Sequence, residues 1–306
     1  MTYLQRTGFF PARFFAGTLM LRRFISLLLL LLLQACGHFL PPHHVATEIV
    51  VDELWSGRVE IDGDVVIAKD AVVRIAPGTQ IIFLPPSAGK DRLTEHPDFV
   101  GSELIVQGRI VATGTVQAPI TFSASDPAAP AGSWGAINLV QSEGSIFRHC
   151  RFLQADSAIH SQESTLKISC STFSNNLVGV RFFGSQIEIS DNFFSDNATA
   201  IRFHLGAPFI HGNLLLHNGK GLFVTSFPKD YQITENAIIS SREFQVVLGE
   251  EVPDDLLLIG NYWGSDDPVE ISQHFFDGQQ SPYLGRVQFI PFQQTPPAAP
   301  ESRCNP

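Results

Sequence analysis

Large apolar and small polar residues recur along the chain with a period of 21 residues, which lengthens to 23 and then 25. One polar position of the repeat holds Cys150, Ser171, Asn192, Asn213, Asn236 and Asn261. The position three residues earlier holds Phe147, Ile168, Ile189, Ile210, Ile233 and Leu258, and the position two residues later holds Phe152, Phe173, Phe194, Leu215, Ile238 and Trp263. A second polar position, five residues after the first, holds Ala155, Asn176, Asn197, Asn218, Ser241 and Asp266. A fixed period of this length indicates a stack of similar structural units.

The apolar runs inside each repeat are short and rich in β-branched and aromatic residues. Gln186–Ile189, Ala200–Phe203 and Lys220–Val224 are bounded by Asn, Asp, Ser and Gly, which favours strands separated by turns. At about 3.3 Å per residue, one repeat makes a coil of three short strands, each pairing with its equivalent about 4.8 Å away. The sequence therefore predicts an all-β fold, a right-handed parallel β-helix solenoid.

The first polar position predicts a column of side chains inside this solenoid. Asn tolerates the left-handed backbone conformation of a tight corner. Stacked amides can donate to one neighbour and accept from the other. We therefore expect Cys150, Ser171, Asn192, Asn213, Asn236 and Asn261 to form a structural ladder. Binding of a glycan by these asparagines is the alternative.

Segments before the six repeats and at their end resemble bacterial right-handed parallel β-helix repeat proteins, which have the pectin lyase-like fold. Ile75–Ile81 and Leu104–Ile110 look like their opening coils, and Asn261–Pro268 looks like their closing motif. The resemblance covers roughly residues 50 to 292. It implies a fold but no single function, because the same scaffold carries enzymes, sugar-binding proteins and passive surface proteins.

The domain boundaries follow from these patterns. We predict a β-helix over residues 49–268, a C-terminal cap over 269–294 and a disordered, proline-rich tail over 295–306. Pro268 follows two Asp residues that can cap a helix, so a short helix should begin there and end at Gly278. That helix would cover the apolar end of the last coil.

Two insertions and one acidic segment interrupt the repeats. Pro85–Gly101 and Ser125–Ser133 are predicted loops, which serve either ligand binding or variable decoration. Glu250–Asp255 could hold calcium through its carboxylates, although a solvated loop is the favoured interpretation. The histidines lack the spacing of metal ligands, so no metal site and no cofactor are predicted.

The N-terminal segment, residues 1–36, predicts an export signal that begins at either Met1 or Met20. Arg22 and Arg23 precede an apolar stretch from Phe24 to Ala35. A transmembrane anchor is the alternative, but this stretch is shorter than the roughly 20 residues that span a bilayer.

The four residues from Leu33 to Cys36 resemble the lipobox of bacterial lipoproteins. The resemblance implies that Cys36 carries the lipid that anchors the mature protein to a bilayer, with residues 37–48 as a linker. Gly37 after this cysteine implies the outer membrane, and either the periplasmic or the surface face.

The other three cysteines have no obvious catalytic partner. Cys150 belongs to the inward polar position, and Cys170 lies one residue before that position in the next coil. An exported chain can oxidise such thiols. Whether Cys150 and Cys170 form a disulfide is left undecided, because the one-residue offset can turn the two side chains apart. Cys304, in the predicted tail, could be a free thiol, and the sequence leaves its state open.

Charge and one outward stripe of residues decide which ligands are considered. The first 35 residues hold four of the 20 Lys and Arg residues and none of the 30 Asp and Glu residues. The acidic remainder argues against nucleic-acid binding. Strand alternation turns one stripe outward: His160, Arg181, Arg202 and Phe223, beside Gln162, Phe183, His204 and Thr225.

This stripe suggests a binding surface for an anionic polysaccharide. Arg offers a forked donor for carboxylates, and Phe183 offers a ring on which a sugar can stack. We therefore assign His160, Arg181, Phe183, Arg202 and His204 as candidate ligand-binding residues of a binding or structural module. An ordinary solvated face is one alternative. The other is a carbohydrate-active enzyme, a lyase, hydrolase or epimerase, although no catalytic residue is predicted.

Overall fold

The computed structural model describes residues 1–2, 43–95 and 97–305. The chain divides into two units, residues 1–41 and 42–306. The second unit is compact, and the elements below belong to it. Cys36 and the predicted export signal lie outside the described residues. Within the described ranges, no helix is long and apolar enough to cross a membrane.

Short strands make up most of the second unit. In chain order they are β1 (His43–His44), β2 (Glu48–Ile49), β3 (Glu53–Trp55), β4 (Arg58–Asp62), β5 (Asp64–Ile67), β6 (Val72–Ile75), β7 (Gln80–Leu84), β8 (Glu103–Val106), β9 (Arg109–Thr113), β10 (Ile120–Ala124), β11 (Trp134–Val140), β12 (Glu143–Arg148), β13 (Cys150–Leu153), β14 (Ala155–Gln162) and β15 (Thr165–Ser169). They continue with β16 (Thr172–Ser174), β17 (Val178–Phe183), β18 (Gln186–Ser190), β19 (Phe193–Ser195), β20 (Thr199–His204), β21 (Ala207–His211), β22 (Leu214–Leu216), β23 (Lys220–Ser226), β24 (Gln232–Thr234), β25 (Ala237–Ile239), β26 (Phe244–Glu251), β27 (Leu256–Leu257), β28 (Phe275–Phe276) and β29 (Val287–Gln288). The two described helices are α1 (Pro268–Gln273) and α2 (Pro300–Cys304).

Every third strand joins the same sheet, so each coil contributes one strand to each of three long parallel sheets. Sheet 1 runs β1-β4-β7-β10-β13-β16-β19-β22-β25, sheet 2 runs β2-β5-β8-β11-β14-β17-β20-β23-β26-β28, and sheet 3 runs from β3 to β24 through β6, β9, β12, β15, β18 and β21. Residues one period apart are paired, as in Phe173 with Phe194. The predicted right-handed parallel β-helix is therefore confirmed.

The apolar positions of the repeat fill the interior. The rings of Phe152, Phe173 and Phe194 stack with centroids 4.6 Å apart on successive coils, and Phe122 extends the stack by one coil at 4.9 Å. All four side chains are fully buried. Rings at one repeat position stack because parallel strands in register place equivalent side chains one above the other.

The first polar position forms a continuous hydrogen-bonded column. The Asn192 Oδ1 atom accepts from the Ser171 backbone N–H at 2.9 Å, while Nδ2 donates to Ile168 O and Asn213 Oδ1, both at 3.0 Å. Asn213 and Asn236 repeat these bonds with the next coil. Each buried amide is thus bonded to both neighbouring coils.

The closing helix is shorter than predicted. Helix α1 begins after Asp267, whose Oδ1 atom accepts from the Val269 backbone N–H at 2.8 Å. It ends at His274 rather than Gly278, because the buried Phe275 pairs with Val246 and adds strand β28 to sheet 2. The last coil is therefore covered by one helix and one further strand.

The predicted disordered tail instead carries helix α2, which lies against the solenoid and is joined to it covalently. Cys304 forms a disulfide with Cys170, whereas Cys150 is a buried free thiol. Cys304 is therefore not a free thiol, and Cys150 and Cys170 do not form a disulfide with each other. Cys170 has a φ angle of 52° at a corner of its coil, where it meets Cys304, whereas Cys150 is buried in the inward column.

Contacts of Arg303, next to Cys304, also hold the tail along this corner. Arg303 forms an ion pair with Asp191 at 2.8 Å and donates to the carbonyl oxygen of Gly212. Cys170, Asp191 and Gly212 occupy the same repeat position on three successive coils and all have positive φ angles. We call residues 300–304 the C-terminal strap, because they bond three successive coils.

Candidate functional site

An open groove of about 450 Å³ runs over the outer face of sheet 2. It is lined by Pro97, His160, Gln162, Arg181, Phe182, Phe183, Arg202, Phe203, His204 and Thr225. All five ligand-binding candidates from the sequence therefore line one feature of the surface. We call it the arginine groove.

Three neighbouring strands place these side chains. His160 in β14 pairs with Arg181 in β17, which pairs with Arg202 in β20. Two residues further on, Phe183 in β17 pairs with His204 in β20. The alternate residues Ile159, Val180, Ile201 and Leu222 are fully buried in the core. Strand alternation thus turns the polar and aromatic set towards the groove.

The two arginines contact no acidic side chain in the described part of the protein. Neither guanidinium group forms a hydrogen bond or a salt bridge with any described residue. The Cζ atom of Arg181 lies 5.7 Å from the ring centroid of Phe99, and that of Arg202 lies 5.1 Å from the ring of Phe223. Burial, and then the charge of Arg202, lower the pKa of Arg181, while Asp156 opposes this shift. The groove therefore holds two neighbouring positive charges that are only partly compensated.

An aromatic platform lies beside the arginines. The rings of Phe183 and His204 stack with centroids 5.2 Å apart and an interplanar angle of 19°. Phe183 is 41% exposed. His204 Nε2 lies 3.6 Å from a Glu251 carboxylate oxygen, and its Nδ1 lies 3.4 Å from Thr225 Oγ1. The exposed Phe183 ring is available to a ligand, and the His204 ring is positioned by its contacts with Glu251 and Thr225.

The insertion Pro85–Gly101 covers one end of the groove, which the sequence did not indicate. Its Phe99 is buried edge-on against the His160 ring, with centroids 5.2 Å apart, and also faces Arg181. Pro97 adds to the lining. The length of the insertion was the only sequence signal, because nothing in the repeat specifies where a loop returns.

Two buried carboxyl groups anchor this insertion to sheet 2. Asp64 Oδ2 accepts from the backbone N–H groups of Arg92 at 2.6 Å and Leu93 at 2.9 Å. Glu103 Oε2 accepts from the Phe99 backbone N–H at 3.1 Å. Burial is the main cause that raises the pKa of Glu103 to about 9. The Glu103 carboxyl is therefore neutral at pH 7, and it fixes the position of Phe99.

The family comparison agrees with the fold. Residues 134–250 match the model of the protein family described as the right handed beta helix region. The chain is a right-handed parallel β-helix repeat protein. The resemblance inferred from the sequence is confirmed for the fold. No curated protein and no solved structure matches the chain.

The arginine groove of this β-helix protein lies largely within the matched segment, which contains every groove residue except Pro97. Elsewhere, the described residues include no group of three or more His, Cys, Asp or Glu side chains that could hold a metal ion. In the acidic segment Glu250–Asp255, Asp255 is bonded within the protein, to Arg286 N–H and Gln288 Nε2, each at 2.8 Å. These hydrogen bonds lower the pKa of Asp255.

Proposed function

We propose that the arginine groove binds the carboxylate groups of an anionic polysaccharide. The observation that carries this proposal is the pair Arg181 and Arg202, which stand on adjacent coils and contact no acidic side chain among residues 43–95 and 97–305. The binding surface belongs to an exported, lipid-anchored β-helix protein of the cell envelope.

Electrostatics favours an anion at this position. Two positive charges on paired strands, about 4.8 Å apart at the backbone, repel each other most strongly where water is partly excluded. A carboxylate between Arg181 and Arg202 would remove that repulsion and accept forked hydrogen bonds from both guanidinium groups. The residues that line the groove among the described part of the chain include no Asp or Glu. Its local charge is therefore opposite to that of the protein as a whole.

The aromatic platform favours a sugar as the carrier of that carboxylate. A sugar ring presents an apolar face, and the exposed ring of Phe183 next to His204 offers an apolar surface of similar size. A small inorganic anion would use the arginines and leave this ring uncovered. A uronate residue would contact both features at once.

Export and tethering rest on two further features. The Cys170–Cys304 disulfide supports the proposed export of the protein, because such bonds persist in oxidising compartments. Lipidation of Cys36 would then hold the β-helix at a bilayer, with the outer membrane as the proposed location. The periplasmic and surface faces are both compatible with this proposal.

The first test is calorimetric titration of the purified full chain in detergent with oligogalacturonate, against neutral dextran fragments. We expect oligogalacturonate alone to bind, and more weakly as salt is added. The double variant Arg181→Ala, Arg202→Ala should lose at least about tenfold in affinity, since two charge-assisted contacts disappear. The control Arg74→Ala, Arg148→Ala removes the same charge from exposed positions of sheet 3 and should bind normally.

Two outcomes would change the interpretation. If neither glycan binds and the double groove variant is at least as stable as the parent, the stripe is an ordinary solvated face. If incubation with the parent protein produces unsaturated uronate absorbance or new reducing ends, the chain is a carbohydrate-active enzyme instead.

A further inference from the structure

A polar cavity of about 370 Å³ lies at the C-terminal end of the solenoid, away from the arginine groove. The turn after β25, the start of β26, the Trp263 segment and helix α1 enclose it. It is lined by Ile239, Ser240, Ser241, Gln245, Tyr262, Trp263, Gly264, Ser265, Glu270, Ile271 and His274.

The cavity opens where the second polar column ends. Asn176 and Asn197 each donate to the next asparagine of this column at 2.9 Å, and the last bond of the series reaches Asn218. The following coil has Ser241 at this position, and the Asn218 Nδ2 atom donates only to the backbone carbonyl groups of Phe194 and Leu216. Because serine is shorter than asparagine, the place of the next amide stays empty.

Three buried polar atoms of residues that line this cavity have no hydrogen-bond partner among the described residues: Ser241 Oγ, Gln245 Oε1 and Trp263 Nε1. Gln245 is 3% exposed and Trp263 is 2% exposed. The Gln245 amide is held in place by its Nε2 atom, which donates to Trp263 O at 3.0 Å. An unpaired buried polar group is costly, so a bound partner from outside the chain would stabilise these residues.

The arrangement of donors and acceptors indicates the chemistry of that partner. Trp263 offers an N–H donor, Gln245 a carbonyl acceptor, and Ser241 a hydroxyl group that does both. Glu270 adds a carboxylate at the rim, where its Oε2 atom already accepts from the Ser265 hydroxyl at 2.6 Å. A negative ligand would be repelled by Glu270, and an apolar ligand would leave all three atoms unpaired.

We infer that this cavity is a second binding site, for a small, neutral, hydroxyl-rich ligand of about the size of one sugar ring. Hydroxyl groups donate and accept, so two or three of them satisfy the mixed set of Ser241, Gln245 and Trp263. The volume is near the lower end of small-molecule pockets, about 300 Å³. This site does not depend on the arginine groove.

Saturation-transfer NMR on the full chain, with D-glucose, D-galactose and myo-inositol as probes, tests the inference. We expect transfer from at least one probe. Trp263→Phe should weaken its binding about fivefold to tenfold, the effect of losing one hydrogen bond. Trp55→Phe is the matched control, because Trp55 lies in the first coil and donates to Glu53 instead. The Arg181→Ala, Arg202→Ala variant should bind like the parent, which separates this site from the arginine groove.

A second pair of variants protects the test from a folding defect in Trp263→Phe. Glu270→Gln changes an exposed residue of the rim, and Glu243→Gln changes an exposed acid outside it. We expect weaker binding only in the first. The inference is overturned if no probe shows saturation transfer at a concentration of about 10 mM. It is equally overturned if Glu270→Gln binds as tightly as Glu243→Gln.

Discussion

Asn192 shows how a single side chain joins three coils. It is fully buried, and its amide bonds to the preceding coil through Ile168 O and Ser171 N–H and to the following coil through Asn213 Oδ1. Removing that amide leaves polar groups of both neighbours unpaired in the core. The cost thus falls on three coils, while the substitution changes one residue.

We expect Asn192→Leu to lower the free energy of unfolding by about 1 to 3 kcal/mol, the cost of unsatisfied buried polar groups. Urea denaturation followed by circular dichroism measures it. Gln232→Leu, at an exposed position of β24, is the control and should change stability little. An unchanged urea midpoint for Asn192→Leu would show that the ladder contributes nothing.

Glu103 makes stability depend on pH. Its folded-state pKa is about 9, whereas an unfolded Glu titrates near 4.3. Between these values the native state binds more protons than the unfolded state, so stability falls as the pH rises. Glu103→Gln keeps an acceptor for the Phe99 N–H and removes the titration.

Glu103→Gln should therefore be more stable than the parent at pH 8, by about 1 to 3 kcal/mol, and the difference should be smaller at pH 5. Urea titrations at both pH values check this expectation. Glu48→Gln, at an exposed position, should show no such pH-dependent difference. If Glu103→Gln loses stability equally at both values, the carboxyl is ionised in the native protein.

At the scale of elements, the C-terminal strap opposes separation of the coils. In a solenoid each coil contacts only its neighbours, so opening at one end can propagate. The strap bonds Cys170, Asp191 and Gly212 on three successive coils. Its disulfide links residues 134 positions apart, so it also restricts the unfolded chain.

Cys304→Ser should lower the free energy of unfolding by about 3 to 5 kcal/mol, as expected for the loss of a long disulfide loop. A reductant should destabilise the parent by a similar amount and leave Cys304→Ser unchanged, as thermal melting with and without dithiothreitol would show. Cys150→Ser should keep its sensitivity to the reductant, because Cys150 is a free thiol. A parent whose melting temperature ignores the reductant would contradict the strap.

At the scale of the whole molecule, the β-helix is a rigid scaffold that separates its surfaces. One face carries the arginine groove, one corner carries the strap, and the C-terminal end carries the polar cavity. Tethering through Cys36 would bring these surfaces close to a bilayer. That tether is a proposal from the sequence, since Cys36 lies outside the described residues.

Cys36→Ser should abolish lipid attachment and release the protein from membrane fractions, because the thiol proposed to carry the lipid is removed. Labelling of cells with radioactive palmitate and fractionation provide the measurement, with Cys150→Ser as the control that keeps the lipid. Palmitate incorporation into Cys36→Ser at the level of the parent would rule out this anchor.

The period of the chain was sufficient to determine the coils, their register and the residues that point inward. Parallel pairing converts a repeat along the sequence into a column in space, so Phe152, Phe173 and Phe194 had to stack. The same rule brought Arg181 and Arg202 side by side without any knowledge of the fold's details. These contacts follow from the repeat alone, because each one joins equivalent residues of two neighbouring coils.

Only the tertiary structure decided the contacts that the repeat does not specify. Phe99 packs against His160 and Arg181, and Cys304 is bonded to Cys170. Each of these contacts joins a segment outside the repeats to the repeats. The cavity beside Trp263 lies where the second asparagine column stops at Ser241 and helix α1 covers the last coil. Loops, tails and ends pack against whatever surface the coils present, and a repeat pattern carries no information about that choice.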